Sequence, residues 1–265
     1  MAIIKINLMP ELKVISYNVN GIRSALTKGF ATWLKEANPD VICLQETKVH
    51  IDDFDPKPFE ALGYHCYLFD AVKKGYSGVA VFSKIKPDLV VKGCGIKKFD
   101  DEGRNLTIDI GDLSIMSAYF PSGTTGDERQ AVKMEYLDDF YVYIHELEKK
   151  RNKLVVVGDY NICHKPIDIH NPITNADSSG FKPEERAWME KYFNSGFIDT
   201  FRHFHKEPHQ YSWWSFRANA RANNKGWRID YVTVTQNLEK NLMESAMYQD
   251  VKFSDHCPVY CKLKV

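Results

Sequence analysis

A chain of 265 residues, 44% hydrophobic and 26% charged, has the make-up of a soluble globular protein long enough to bury a sizeable core. Basic and acidic residues balance at 35 each, so any nucleic-acid role has to rest on a local basic face and not on bulk charge. No run approaches the ~20 apolar residues that cross a bilayer, and the start Met1-Ala2-Ile3-Ile4-Lys5-Ile6 lacks a signal-peptide pattern, which places the expected location in the cytosol.

The predicted elements follow one another as short apolar strands with a few helices between. Val14-Ile15-Ser16-Tyr17 reads as a strand running into Asn18-Val19-Asn20. Ala31 to Ala37 has helical spacing, and Val41-Ile42-Cys43-Leu44 is a strand ending in Gln45-Glu46. Ser114 to Ala118 runs into Tyr119. In Gln130 to Lys149 the residues Val132, Tyr136, Phe140, Tyr143 and Leu147 fall three or four apart, the stripe of a helix packed on a core. Leu154 to Gly158 runs into Asp159-Tyr160-Asn161. Pro183 to Phe193 predicts a helix with Pro183 at its start and Glu184 and Glu185 in its first turn. Arg217, Arg221, Lys225 and Arg228 form a basic segment with no acid among them. Arg228-Ile229 leads into Asp230, and a last segment holds Ser254-Asp255-His256. No period of 20–50 residues is present. The first and fourth apolar runs do resemble each other, ending in Asn-x-Asn and Asp-x-Asn, which hints at two similar halves. The six cysteines, Cys43, Cys66, Cys94, Cys163, Cys257 and Cys261, include no C-x-x-C pair, so buried reduced thiols are expected in place of a zinc site or a disulfide framework.

Strand ends at one rim of a sheet are where sites are built, because rigid elements fix the side chains they present. Asn18, Asn20, Glu46, Asp159, Asn161, Asp230, Asp255 and His256 would together offer carboxylate and amide oxygens, one imidazole and no thiolate. Such a set suits Mg²⁺, with Mn²⁺ as a substitute, and not zinc. Glu46 is the best candidate for principal ligand, with Asn18 or Asn20 nearby. A metal with phosphate implies phosphodiester hydrolysis. In that chemistry His256 is a charged donor to the phosphate and Asp230 holds its other ring nitrogen. Asp159 orients or deprotonates the water and Asn161 holds the phosphate. Tyr119 donates to the phosphate or acts as a phenolate. Singly, each has a plainer reading: the asparagines as turn residues, Glu46 as a solvated strand end, Asp159 as a loop acid or helix cap, Asp255-His256 as a surface pair. Recurrence of the pattern at strand after strand is what weakens those readings.

These segments resemble the exonuclease III family of class II abasic-site endonucleases. The resemblance runs from Leu12 to Val265. It is carried by Ser16-Tyr17-Asn18-Val19-Asn20-Gly21-Ile22-Arg23, Leu44-Gln45-Glu46-Thr47-Lys48, Lys74-Gly75-Tyr76-Ser77-Gly78-Val79 and Ala118-Tyr119-Phe120-Pro121-Ser122-Gly123. Gly158-Asp159-Tyr160-Asn161-Ile162, Ser179-Gly180-Phe181, Tyr211-Ser212-Trp213-Trp214, Gly226-Trp227-Arg228-Ile229-Asp230-Tyr231 and Ser254-Asp255-His256-Cys257-Pro258 complete it in family order. It implies an α/β fold, a four-layer sandwich of two packed mixed β-sheets flanked by helices, DNase I-like, as one domain over 1–265 with 1–11 a short extension. It implies a metal-bound Glu46, with Asn18, Asn20 and Asp255 lining the metal side together with Asp159, Asn161 and His256. Asp159 acts on water or leaving group, the Asp230–His256 pair sits at the phosphate, and Tyr119 and Asn161 lie beside it.

The resemblance further implies that Trp213, Trp227 and Ile229 wall a small apolar pocket for a flipped-out abasic sugar, whereas Trp214 is assigned to core packing. Arg23, Lys28, Lys74, Tyr76, Asn171, Asn175 and Arg217 match loop positions that contact DNA. The implied partner is double-stranded DNA with abasic sites or blocked 3′ ends, bound by a monomer without membrane. Two departures stand out: Asn20 where many relatives carry an acid, and Ser122 where several carry Asn. Rival expectations are a 3′–5′ exonuclease or another DNase I-like phosphodiesterase, and, more remotely, an abasic-DNA binding protein without catalysis.

Overall fold

The computed structural model describes residues 11–265. Of the expected extension 1–11, residues 1–10 lie outside the described residues, and Glu11 opens the first strand. The elements are β1 (Glu11–Asn18), α1 (Ile22–Thr27), α2 (Phe30–Ala37), β2 (Val41–Gln45), α3 (Lys57–Glu60), β3 (His65–Phe69) and β4 (Val79–Ser83). There follow β5 (Leu89–Lys92), α4 (Lys97–Asp100), β6 (Asn105–Ile110), β7 (Leu113–Tyr119), α5 (Asp127–Lys150), β8 (Lys153–Asp159), α6 (Pro183–Asn194), β9 (Phe197–Asp199), α7 (Thr200–Phe204), β10 (Asp230–Thr235), β11 (Leu242–Met247) and β12 (Val259–Lys264).

The strands form two six-stranded mixed sheets, ordered β11-β12-β1-β2-β4-β3 and β5-β6-β7-β8-β10-β9. Side chains alternate across each strand. Leu12 and Val14 of β1 pack with Val155 and Val157 of β8 and Val232 and Val234 of β10 in the core between the sheets. The intervening Ile15 and Tyr17 turn outward to Phe30 and Leu34 of α2. On the second sheet Leu154 and Val156 turn outward to Tyr136, Phe140 and Ile144 of α5 and to Trp188 and Tyr192 of α6. Central strands therefore read as unbroken apolar runs because both faces are covered. The result is the expected four-layer sandwich.

The hint of two halves holds in the topology, with a different pairing. β1 runs parallel to β2 and is followed in space by β4 and β3; β7 runs parallel to β8 and is followed by β10 and β9. The equivalent of β1 is thus β7, and that of β8 is β2. The similar endings of β1 and β8 do not mark equivalent strands.

At one rim the inward-facing positions turn polar: Ser16 and Asn18 on β1, Gln45 on β2, Ser117 and Tyr119 on β7, Asp159 on β8. Directly beneath that rim, Ser16 Oγ donates to Gln45 Oε1 (3.2 Å) and Gln45 Nε2 to Ser117 Oγ (3.1 Å), a buried belt that satisfies its own donors across the two sheets. β10 and β12 run antiparallel to β8 and β1. For that reason Asp230 opens its strand where an ending was expected, and His256 lies just before β12. All six cysteines are free, four buried and Cys66 and Cys94 half-buried. No helix among the described residues is long and apolar enough to cross a membrane.

Candidate active site

Glu46 reaches the rim through a tight turn. Glu46 and Lys48 both take left-handed backbone conformations (φ 49° and 50°), uncommon for side-chain-bearing residues. Thr47 and Lys48 donate their backbone N–H groups to Gly78 and Ser77, which pins the turn against the 70–78 loop. The backbone N–H groups of Gly21 and Ile22 bond the carbonyls of Glu46 and Thr47 from the other side. Asn18 Nδ2 donates to both Glu46 Oε1 and Asp159 Oδ2 at 2.9 Å, so one buried amide joins carboxylates from the two sheets. Lys48 Nζ lies 2.8 Å from Glu46 Oε2 and also donates to Asn20 Oδ1. Burial raises the Glu46 carboxyl, but Lys48 and Asn18 outweigh it and hold it below the usual carboxylate range.

His256 is buried with Nδ1 2.9 Å from Asp230 Oδ2, which also accepts from Ser212 Oγ at 2.7 Å. Its Nε2 points to Asp159 Oδ2 at 3.9 Å. Burial favours the neutral ring, but Asp230, Asp159 and Asp255 outweigh it and push the imidazole well above its ordinary range. Asp159 goes the opposite way for a carboxylate: burial raises it, His256 lowers it, Asp230 and Glu46 raise it again, and the balance is upward. Asp230 Oδ1 is buried without a hydrogen-bond partner. The cluster thus carries more negative charge than its own donors neutralise, and ligand atoms of Glu46, Asp159 and His256 lie within 4.8 Å of one another. The carboxylate oxygens of Glu46 and Asp159 suit a hard cation, whereas an imidazole held protonated by its carboxylate neighbours offers no lone pair to one.

Asn161 is left-handed (φ 53°), and its backbone N–H bonds Asp159 Oδ1 at 2.8 Å. Its Nδ2 donates to the Phe120 carbonyl (3.0 Å) and, at 3.3 Å, to Asp159 Oδ2. The Tyr119 phenol is pushed well above its ordinary value, first by burial and then by Glu46 and Asp159. That environment opposes the phenolate and favours the donor role. Asn20 and Asp255 form a neighbouring pair (Nδ2 to Oδ1, 2.9 Å), and Asp255 Oδ2 accepts from Trp213 Nε1 at 3.0 Å. Both oxygens of Asp255 are therefore engaged, and its carboxyl joins Trp213 to Asn20.

The cluster opens into a cleft of about 670 Å³ whose lining includes Glu46, Tyr119, Asp159, Trp213, Trp227 and His256. Trp213 and Trp227 meet edge to face (6.0 Å, 88°) and pack with Ile229, Ile169 and Phe181. Trp214 is buried beside Tyr211 and Cys257, as expected for core packing.

The loop positions divide. Arg23, Lys74, Asn171 and Arg217 are exposed. Lys28 Nζ donates to the Phe253 carbonyl (2.9 Å), and the Tyr76 hydroxyl accepts from Arg129 (2.7 Å) and Arg104 (3.3 Å), so these polar ends already hold protein partners. Asn175 braces its own loop through the carbonyls of His170 and Asn171. The basic segment 217–228 is basic in sequence more than at the surface. Arg228 is fully buried against Asp168 and Asp199 (2.7 Å each), and Arg221 donates to the carbonyls of Gln249, Val251 and Ser254. Only Arg217 and Lys225 of the four are exposed. Sequence reading missed Lys48, Ser212 and Arg104, whose guanidinium is buried over the Tyr119 ring (5.0 Å) and donates to the Tyr119 carbonyl at 2.8 Å. For Lys48 a signal existed: it stands two residues after Glu46 in the same short turn.

Two face-to-face mixed sheets with a carboxylate, amide and imidazole cluster at one rim are the architecture of the DNase I-like nucleases and phosphatases. Residues 15–256 match the Endonuclease/Exonuclease/phosphatase family. A Bacillus subtilis exodeoxyribonuclease is 42% identical over 250 residues, covering 94% of this chain and 98% of that protein. A Dictyostelium discoideum DNA-(apurinic or apyrimidinic site) endonuclease is 37% identical over 253 residues, 94% of this chain and 70% of its own. The solved structure of an AP endonuclease from Archaeoglobus fulgidus superposes with a TM-score of 0.88 at 30% identity, covering 96% of this chain and 100% of that one. The chain belongs to the endonuclease/exonuclease/phosphatase family and, within it, to the exonuclease III type of abasic-site endonucleases.

Proposed function

We propose that the protein is a DNA-repair nuclease that hydrolyses the phosphodiester 5′ to an abasic site in double-stranded DNA and leaves a 3′-hydroxyl. The observation that carries this reading is one cleft holding both a phosphate-directed cluster and an apolar pocket. His256, Asp159 and Asn161 line it together with Trp213, Trp227 and Ile229. A deoxyribose without its base is compact and partly apolar, so it fits such a pocket once flipped out, where a full nucleotide clashes. Exposed Arg23, Lys74, Asn171 and Arg217 serve the backbone phosphates, and Asn175 shapes the loop that presents Asn171.

Glu46 and Asp159, held together by the Asn18 amide that donates to both, would hold Mg²⁺, for which Mn²⁺ is a substitute. Bound there, the cation supplies neutralisation of charge on the phosphate and on the departing oxyanion. His256, kept cationic by Asp230, is assigned to the phosphate and not to the metal, since an imidazolium repels a cation; its Nε2–H donates to a non-bridging oxygen. Tyr119 donates from its phenol on the neighbouring strand. Asn161 turns its longer-bonded N–H from Asp159 to the phosphate, and this frees Asp159 Oδ2 to take a proton from the attacking water. Asn20 and Asp255 act one step out, fixing Lys48 beside Glu46 and Trp213 beside the pocket. The six free thiols support a cytosolic setting, and one chain contains the whole site, as a monomer requires.

Cleavage of a labelled duplex with one tetrahydrofuran abasic analogue, with magnesium and with EDTA, tests the proposal. A magnesium-dependent cut 5′ to the analogue leaving a 3′-hydroxyl is expected, since the analogue does not undergo β-elimination. No incision there, with steady digestion of intact duplex from its 3′ end, would make the protein a 3′–5′ exonuclease using the same site.

A further inference from the structure

Helix α5 carries a lysine that faces no solvent. Lys133 and Glu185 are both fully buried, with Nζ 2.5 Å from Oε1. A buried ion pair rarely adds net stability, because attraction only partly offsets the desolvation of two charges and an apolar pair of similar volume often does as well. The other partners of these two groups point to the cleft. Lys133 Nζ also donates to the backbone carbonyl of Asn161 at 2.8 Å, which steadies a left-handed residue of the phosphate site. Glu185 Oε2 accepts from the backbone N–H groups of Gly180 (2.7 Å) and Lys182 (2.9 Å). Gln130 Nε2 donates to Glu185 Oε1 at 3.0 Å, and Ser179 Oγ donates to Gln130 Oε1 at 2.8 Å. Gly180, at φ +95°, is wedged between the Asn161 carbonyl and the Trp227 ring, and a Cβ there would lie 3.0 Å from each.

We propose that Lys133 and Glu185 are positioning residues for hydrolysis: the pair sets the spacing between Asn161 at the phosphate and the Gly180–Trp227 wall of the sugar pocket. This rests on the roles assigned above to Asn161 and Trp227. The ammonium holds one side through the Asn161 carbonyl, and the carboxylate holds the other through the Gly180 amide. Neither touches substrate, so the pair acts on rate through geometry. Misplacing a reacting group by about 1 Å costs on the order of 10²-fold in rate.

The test is the charge-free variant Lys133→Met/Glu185→Gln. The glutamine oxygen still accepts from Gly180 and Lys182, while Asn161 loses its donor. On the tetrahydrofuran duplex the single-turnover rate is expected to fall about 100-fold while KM and the duplex affinity measured in EDTA stay within about 3-fold. A folded variant whose rate lies within about 3-fold of the parent overturns the proposal, as does an equal loss of affinity and rate. Should that variant not fold, the equally charge-free Lys133→Gln/Glu185→Gln, whose shorter side chain at 133 falls short of the Asn161 carbonyl, reads the same quantity: a fall of at least about 10-fold with affinity unchanged is expected, and an unchanged rate overturns the proposal. Failure of the underlying reading looks different. It shows as no incision at the analogue by the parent protein, or as full turnover by Asn161→Ala, and either result removes this proposal with it.

Discussion

His256 is buried deeply enough to favour a neutral ring, yet Asp230 at 2.9 Å and the nearby Asp159 and Asp255 keep it protonated. A fixed cationic donor in a closed site is worth far more than one in water. Replacing His256 with Asn should therefore lower the cleavage rate about 10³-fold with the fold retained. Near-normal turnover, read by single-turnover kinetics beside circular dichroism, would remove His256 from the chemistry. Glu46 makes the complementary case. Glu46→Ala should cut magnesium-dependent cleavage at least 100-fold yet leave duplex affinity in EDTA within about 3-fold, because it removes a ligand and no DNA contact. Equal losses in both assays would count against a metal-holding role. Asn18, Glu46, Asp159, Asp230 and His256 were all legible as residues, since each follows or opens an apolar run. Lys133 was not, because a lysine inside an apolar helical stripe reads as a solvated position.

At the scale of elements, the segment that carries Trp227 and Ile229 stands on a buried charge network. Arg228 Nε and Arg202 Nη2 both meet Asp168 Oδ1 at 2.7 Å, and Arg228 Nη2 meets Asp199 Oδ2 at 2.7 Å. Burial raises the Asp168 carboxyl, but Arg228 and then Arg202 outweigh it and hold it below its ordinary value. A depressed folded value means that the network stabilises above the unfolded carboxylate range, about pH 4, and that this stability is lost as pH falls through the lower folded value. Asp168→Asn should cost about 3–5 kcal/mol at pH 7, because it leaves buried guanidinium charge uncompensated. That corresponds to a drop of about 10 °C in Tm for a domain of this size, and the gap between variant and parent should close below about pH 4. A Tm difference independent of pH would show that the loss is packing alone. The same network explains why the basic segment misled the sequence reading: charge alone does not tell a guanidinium that meets phosphate from one that meets a buried aspartate. Among the long elements α5 was legible from its periodicity, and α6 from Pro183 and the two acids of its first turn. β3, β5, β9 and α7 are too short to show a pattern, and local sequence does not tell that Asp230 opens its strand, because strand direction is not written there.

Across the whole molecule the charge balance of 35 against 35 leaves DNA attraction to a few exposed side chains. Arg217→Ala and Lys74→Ala should each weaken duplex binding uniformly across sequences and reduce the slope of log affinity against log salt by about 1. A slope unchanged in either variant would take that residue out of phosphate contact.

The Asn18 amide that bridges Glu46 on one sheet and Asp159 on the other also makes the apolar interface a kind of gauge block. The gap between the two halves of the site is set by how Val14 of β1 packs against Val155 of β8, among side chains that never see DNA. Wear in that block should register as lost calibration before it registers as collapse. Val155→Ala, about 1–3 kcal/mol less stable from the cavity it leaves, is expected to turn over more slowly at temperatures where it is still fully folded. Natural tuning of this enzyme's rate to temperature then has a place to act well away from the cleft, in the thickness of the sandwich itself.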